Sequence, residues 1–232
     1  MNRRLAALAL CLSLGNAAAW AAAWAAGTAS FDCAKARTEV EKAICADGAL
    51  AGQDASIAKH FGKARMTFDA ATGKALTQDQ RWFVQVRDEA FASPPGNDPP
   101  QKELADRLKY RDAFLASLVL KRRQGFEGDW ENLAGGVSIK RQPDGSLSFD
   151  GSAAHPENGR WVCDVRGTGA IKNKVLVVET VDAEGWTLTL SRKGYGLVVS
   201  ENPPAGAADA AGRPYCGLNG ALGGVYYPVS RP

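Results

Sequence analysis

Residues 175–200 read VLVVETVDAEGWTLTLSRKGYGLVVS and hold three short runs of β-branched, aliphatic and aromatic residues, at 175–178, 186–190 and 197–199. Glu184-Gly185 and Lys193-Gly194 separate the runs, each pair a turn signal between strand-forming segments. Working outward, the same pattern recurs at Val137-Ser138-Ile139, Leu147-Ser148-Phe149, Trp161-Val162-Cys163 and Val225-Tyr226-Tyr227, with Pro143-Asp144-Gly145 as a further turn. Seven or eight short antiparallel strands predict a small barrel or sandwich over residues 128–232. Residues 203–214, rich in Ala and Gly, read as a mobile excursion before the last strand.

The period changes in residues 31–123, where apolar positions follow helical spacing. Thr38 and Glu41 form a capping-box pattern ahead of Ile44, and that segment should end near Gly48. Ile57, Phe61, Ala64 and Phe68 are spaced by four, three and four, which lays one apolar stripe along a second helix. Thr77 and Gln80 repeat the capping pattern ahead of Phe83, Val86 and Ala90. The run SPPGNDPP at 93–100 must be a loop, because proline cannot continue a helix. Beyond it Leu104, Leu108, Arg111, Leu115 and Leu118 keep the same rhythm. The fold class expected is therefore α+β in two domains, a small helical bundle followed by an antiparallel β barrel or sandwich.

The chain has 232 residues, 45% hydrophobic and 23% charged, which excludes collagen-like, disordered and multi-pass membrane classes. Arg3 and Arg4 are the only charged residues among the first thirty, so the rest carries 26 basic against 25 acidic residues. Such a balance argues against a nucleic-acid partner, which calls for clustered Lys and Arg. Asn2-Arg3-Arg4, an apolar stretch at 5–14 and the triplets Ala17-Ala18-Ala19 and Ala21-Ala22-Ala23 have the order of a cleaved secretory signal over residues 1–26. The alternative is a retained membrane anchor. Export places the chain in the periplasm or outside the cell, and Cys11 leaves with the signal.

Four cysteines then remain, Cys33, Cys45, Cys163 and Cys216, an even number in an oxidising compartment. Three pairings are open. The sequential one closes a short loop and a long one, contributing roughly 3 and 4 kcal/mol by loop-closure entropy. Zinc is disfavoured, because His60 and His155 lie near no cysteine. Neither histidine has a partner apparent in sequence; His60 reads as an exposed helix residue and His155 as part of a turn before Pro156. Ser152 and Ser191 occupy no nucleophile elbow, and Asp144 and Asp150 have the spacing of hairpin turns. No catalytic constellation, cofactor motif or metal set is expected. Trp130, Trp161 and Trp186 could line a pocket for a glycan or peptide, but core filling is the commoner use of such residues.

The helical half resembles the LprI-type lysozyme-inhibitor module of secreted and periplasmic bacterial proteins. The likeness begins in FDCAKARTEVEKAICADGALAGQD, at Phe31, Cys33, Ala36, Glu41, Ile44, Cys45, Asp47, Leu50 and Asp54. It continues in QRWFVQVRDEA at Gln80, Phe83, Arg87 and Asp88, and covers about two fifths of the chain. Two of the module's usual cysteines have no counterpart, since none stands between Cys45 and Cys163, and Phe61 replaces a family tyrosine. The β half, ending CGLNGALGGVYYP, is similar to domains joined to such modules. The resemblance implies binding and steric inhibition of a lysozyme or another cell-wall hydrolase, whose cleft carries two carboxylates. An alternative is an envelope interaction or assembly module, or an immunity-type protein, with a partner other than lysozyme.

Elementary chemistry assigns most of these positions to folding. Glu41 and Gln80 close capping boxes, Asp54 sits near the start of the second helix, and Arg87 pairs with Asp54 or Asp88. Ile44, Leu50 and Cys45 are core and staple. Membrane contact is expected only if the leader is retained, and oligomeric state is left open.

Overall fold

The structure, a computed structural model, describes residues 28–181, 183, 185–207 and 212–230. The stretch expected to be a leader, 1–26, and the middle of the Ala/Gly-rich segment, 208–211, lie outside the described residues. A 3-10 turn at Cys33–Lys35 precedes four helices: α1 Glu39–Ala46, α2 Gly48–Thr67, α3 Ala70–Ala92 and α4 Pro100–Ser117. Eight strands follow: β1 Gly128–Glu131, β2 Gly135–Arg141, β3 Leu147–Ala154, β4 Val162–Lys172, β5 Val175–Thr180, β6 Thr187–Lys193, β7 Gly196–Asn202 and β8 Gly224–Val229. Each strand runs antiparallel to the next, and β1 pairs with β8, so the sheet closes into a barrel rather than splitting into a sandwich.

Acidic and hydroxyl side chains set the helix starts. The Glu41 amide donates to Thr38 Oγ1 at 3.1 Å while the Thr38 amide donates to Glu41 Oε2 at 3.0 Å, a complete capping box. Asp47 accepts from the amides of Ala49 and Leu50, which lets α2 begin two residues after α1 ends. The expected start at Thr77 and Gln80 is incorrect: α3 begins at Ala70 under Asp69, after Phe68 has turned the chain to extended geometry. Inside that helix the Thr77 hydroxyl donates back to the Gly73 carbonyl at 2.8 Å, the bond by which Thr is accommodated mid-helix. Asp54 is likewise seven residues into α2, beyond the reach of the helix-start dipole, and is buried.

The barrel interior is filled. Trp130, Phe149, Leu176, Leu188, Leu190 and Tyr226 are among its buried residues, as eight strands leave room for little else. Gly167 and Gly169 answer crowding from β5, since a Cβ at either would lie within 2.8 Å of the Val178 or Leu176 side chain. The disulfide Cys163–Cys216 fastens β4 to the segment ahead of β8, and Cys33–Cys45 ties the 3-10 turn to α1, so the sequential pairing is the one formed.

Bundle and barrel share a core across β8, whose last four residues are buried in succession. Tyr226 faces the barrel interior and its hydroxyl donates to the Leu222 carbonyl. Tyr227 and Val229 belong instead to the helical cluster. Phe68 stacks on Tyr227 at 6.3 Å and tilts against Tyr195 at 5.0 Å, while Phe114 meets Tyr227 edge-on. Past α4 the chain adds itself to β8: the Val119 amide donates to Pro228 O and the Ser230 amide to Ser117 O. The boundary expected at 123–128 thus divides helices from strands without dividing their packing.

Asp69 makes a second junction. Besides capping α3, its carboxylate accepts from the Thr72 hydroxyl at 2.7 Å and from the Tyr195 amide in the β6–β7 turn at 3.0 Å. Burial opposes its charge, but hydrogen bonds from Thr72, Tyr195 and Ala71 outweigh this and hold its pKa below 3.8. A carboxyl depressed on folding contributes stability above its ordinary pKa and loses it as pH falls through the folded value. Asp69→Asn should therefore lower the melting temperature at pH 7 and cost progressively less below about pH 4, as read by thermal unfolding across pH. The neighbouring Gly194 has φ +60°, and a Cβ there would lie 1.8 Å from Asp69 Oδ2. Gly194→Ala is expected to cost about 2 kcal/mol more than Gly96→Ala in urea unfolding, because only the first displaces a helix cap. Gly96 shares the positive φ but faces open space.

Candidate functional site

The two motif stretches converge. Glu41, Asp54, Gln80, Phe83 and Arg87 line one small cavity of about 230 Å³, with Ser30, Phe31 and Phe61 completing the wall. Asp54 Oδ2 accepts the Ser30 amide at 2.8 Å, holding the N-terminal segment over α2. Arg87 pairs with Asp88, its Nε and Nη2 at 2.8 and 2.7 Å from Oδ1. Backbone amides of Arg37 and then Thr38 hold the Glu41 carboxyl below its usual range. Ile44 and Leu50 are core, and Asp47 is a helix cap. Each of these residues has a folding task within the bundle.

A buried ion pair that sequence reading did not single out lies deeper. Arg111 of α4 has a side chain 2% exposed, with Nη1 2.6 Å from Asp79 Oδ1 of α3. Its Nε donates to Gln80 Oε1 at 2.8 Å. Asp79 Oδ2 accepts the amide of Leu133, in the β1–β2 turn, at 3.0 Å, so one carboxylate joins two helices to the barrel. Phe83 and Phe114 lie against the guanidinium, 5.2 and 4.9 Å from its carbon to their ring centres. Burial lowers the Arg111 pKa and Asp79 opposes that shift. Among the described residues Arg111 Nη2 has no hydrogen-bond partner. A signal for the pair was present: Asp79 falls on the stripe of Phe83, Val86 and Ala90, and Arg111 on that of Leu104, Leu108 and Leu115, opposite charges at apolar positions.

Arg111 also forms part of the wall of a cleft of about 510 Å³ between bundle and barrel, within the range of about 300–1,000 Å³ common for ligand sites. Phe83, Tyr110 and Phe114 give it aromatic surface, and Glu103, Asp106 and Glu131 give it carboxylates. Arg107 closes one end, donating to the carbonyls of Pro156 and Glu157 in the β3–β4 loop at 2.6 and 2.5 Å. Tyr110 at the mouth is 73% exposed. A second groove of about 360 Å³ lies between α3 and the barrel and includes Trp82, Trp161 and Gly223.

Remaining candidates sort by contact. His60 is not a solitary exposed side chain; its Nδ1 lies 2.9 Å from Asp112 Oδ1, with both groups partly buried. His155 packs edge-on to Trp161 at 5.7 Å. Trp130, Trp161 and Trp186 are all buried, and the guanidinium carbons of Arg123 and Arg192 lie 5.0 and 4.3 Å from the Trp130 ring centre while its Nε1 donates to Phe126 O. Burial, then Arg122 and Arg123, push Arg192 down to about 10. Among the described residues, no group of three His, Cys, Asp or Glu could hold a metal ion, and no helix is long and apolar enough to cross a membrane.

The chain carries two disulfides, a filled barrel and a lined cleft where bundle and barrel meet. No family model, curated protein or solved structure matches this chain.

Removing one member of a buried pair strands the other, at about 3–5 kcal/mol, whereas removing both leaves packable volume. Arg111→Met and Asp79→Leu should each lower stability by that order, and the double variant should recover most of the loss. Denaturant unfolding of all four proteins measures the coupling.

Proposed function

We propose that this chain is an exported binding protein that protects cell-wall polymer by occluding the cleft of a lysozyme or related muramidase. The carrying observation is the pair of motif stretches, 31–54 and 80–90, whose side chains converge on one cavity although more than twenty residues separate them. Their resemblance to the lysozyme-inhibitor module supplies the target class. The two disulfides suit an oxidising compartment, and the leader at 1–26 supplies the route to it.

Occlusion depends on shape more than on reactivity. A body already rigid before association loses less conformational freedom on binding, so more of its contact energy appears as affinity. Here two staples, a filled barrel and a shared bundle-barrel core provide that stiffness. The α3–α4 loop, with prolines at 94, 95 and 99 and a fourth opening α4, projects exposed residues from this frame with restricted backbone freedom. Because basic and acidic residues nearly balance, affinity would come from fit at the interface rather than from long-range attraction.

Clearance of a cell-wall suspension by lysozymes of several types, with and without the purified chain, tests this. Slower clearance that saturates at a fixed molar ratio is expected. Unchanged clearance at large excess against every type would remove the proposal.

A further inference from the structure

The cleft at the bundle-barrel junction has features of a small-ligand site in its own right, independent of any hydrolase. We propose that it binds a neutral, N-acetylated saccharide. Three observations select that chemistry. Arg111 is a cleft-wall residue almost wholly removed from solvent, yet its Nη2 lacks a hydrogen-bond partner among the described residues. A buried donor of this kind is costly to leave unmet and is well suited to an acceptor brought by a ligand. Phe83 and Phe114 flank that guanidinium, so an acceptor that reaches it must be small, planar and partly apolar. An acetamido group, with a carbonyl oxygen beside a methyl, meets all three requirements.

Charge narrows the choice further. Glu103, Asp106 and Glu131 surround the cleft and disfavour a carboxylate or phosphate ligand, the more so because Asp79 already pairs with Arg111. For a cationic ligand the carboxylates are already engaged, Glu103 by Arg107 at 2.5 Å and Asp106 by Lys102 at 3.1 Å. A neutral ligand rich in hydroxyl groups avoids both penalties, since carboxylate oxygens accept readily from hydroxyls. The ring of Tyr110, 73% exposed at the mouth, offers a flat face on which the C–H side of a pyranose can pack.

The test is titration of the isotopically labelled, purified chain with tri-N-acetylchitotriose, followed by amide NMR shifts. Maltotriose, which has the hydroxyls without the acetamido groups, and a tri-arginine peptide are the comparison ligands. Saturable shifts confined to residues around 103–114 and 131–133 are expected, with maltotriose binding about tenfold more weakly. Tyr110→Ala, an exposed substitution that leaves the fold intact, should weaken chitotriose about fivefold. Arg111→Lys keeps a cation beside Asp79 and should erase the preference over maltotriose; if it does not fold, Tyr110→Ala carries the test alone. The proposal is overturned by no saturable shift at millimolar chitotriose, by equal affinity for maltotriose, by tighter binding of tri-arginine at the same residues, or by a Tyr110→Ala variant that binds as well as the parent. Because no hydrolase is present, these outcomes are separate from those of the clearance assay.

Discussion

One largely enclosed carboxylate, that of Asp79, ties two helices to the barrel. It neutralises Arg111 on the adjacent helix and accepts the amide of Leu133 from the barrel. Isolated charges are expensive to bury, so the pair persists only while helices α3 and α4 and the β1–β2 turn are all in register. The apolar contacts of Phe68, Phe114 and Tyr227 supply the attraction between the halves, but such contacts have little direction. The ion pair supplies the direction. Asp69 repeats the device on a smaller scale, capping α3 while accepting from the β6–β7 turn.

From that constraint follows the location of the usable surface. Side chains fill the barrel, so the interior offers a ligand nothing. The bundle core is likewise closed apart from the small cavity around Asp54 and Arg87. Hollows remain on the outer face of the barrel and at the seam, and only at the seam do helix and barrel residues line one cleft together. A cleft with three aromatic rings in its lining lies there, with the partly satisfied Arg111 in its wall. A seam fixed by a buried pair is also stiff, which favours recognition by a preformed shape.

Much of the architecture was legible in residue order because its signals are local. Short runs of strand-forming residues bounded by turn signals marked seven of the eight strands, and Thr38-Glu41, the proline loop and the apolar stripes located four helices. Strand β1 escaped because it has four residues, too few to show a period. The false start at Thr77 arose because Ser or Thr three residues before Glu or Gln is a weak pattern that a helix interior also tolerates. The cleft was far less legible. Tyr110, Phe114 and Leu133 belong to it through packing of distant elements, and Arg111 was visible only as one more member of a stripe.

By itself the amino-acid order determined the helical and strand-like segments, the turns between strands, the cap at Thr38 and the supply of four cysteines. These are matters of backbone geometry and of neighbours within a few residues. Tertiary structure alone decided that the sheet closes on β1 and β8, which cysteines meet, and that Tyr227 looks toward helices while Tyr226 looks into the barrel. It also decided the partnership of Asp79 with Arg111. Pairing across thirty or more residues depends on how whole elements pack, and apolar attraction, being nearly without direction, leaves no mark of its partner in the local sequence.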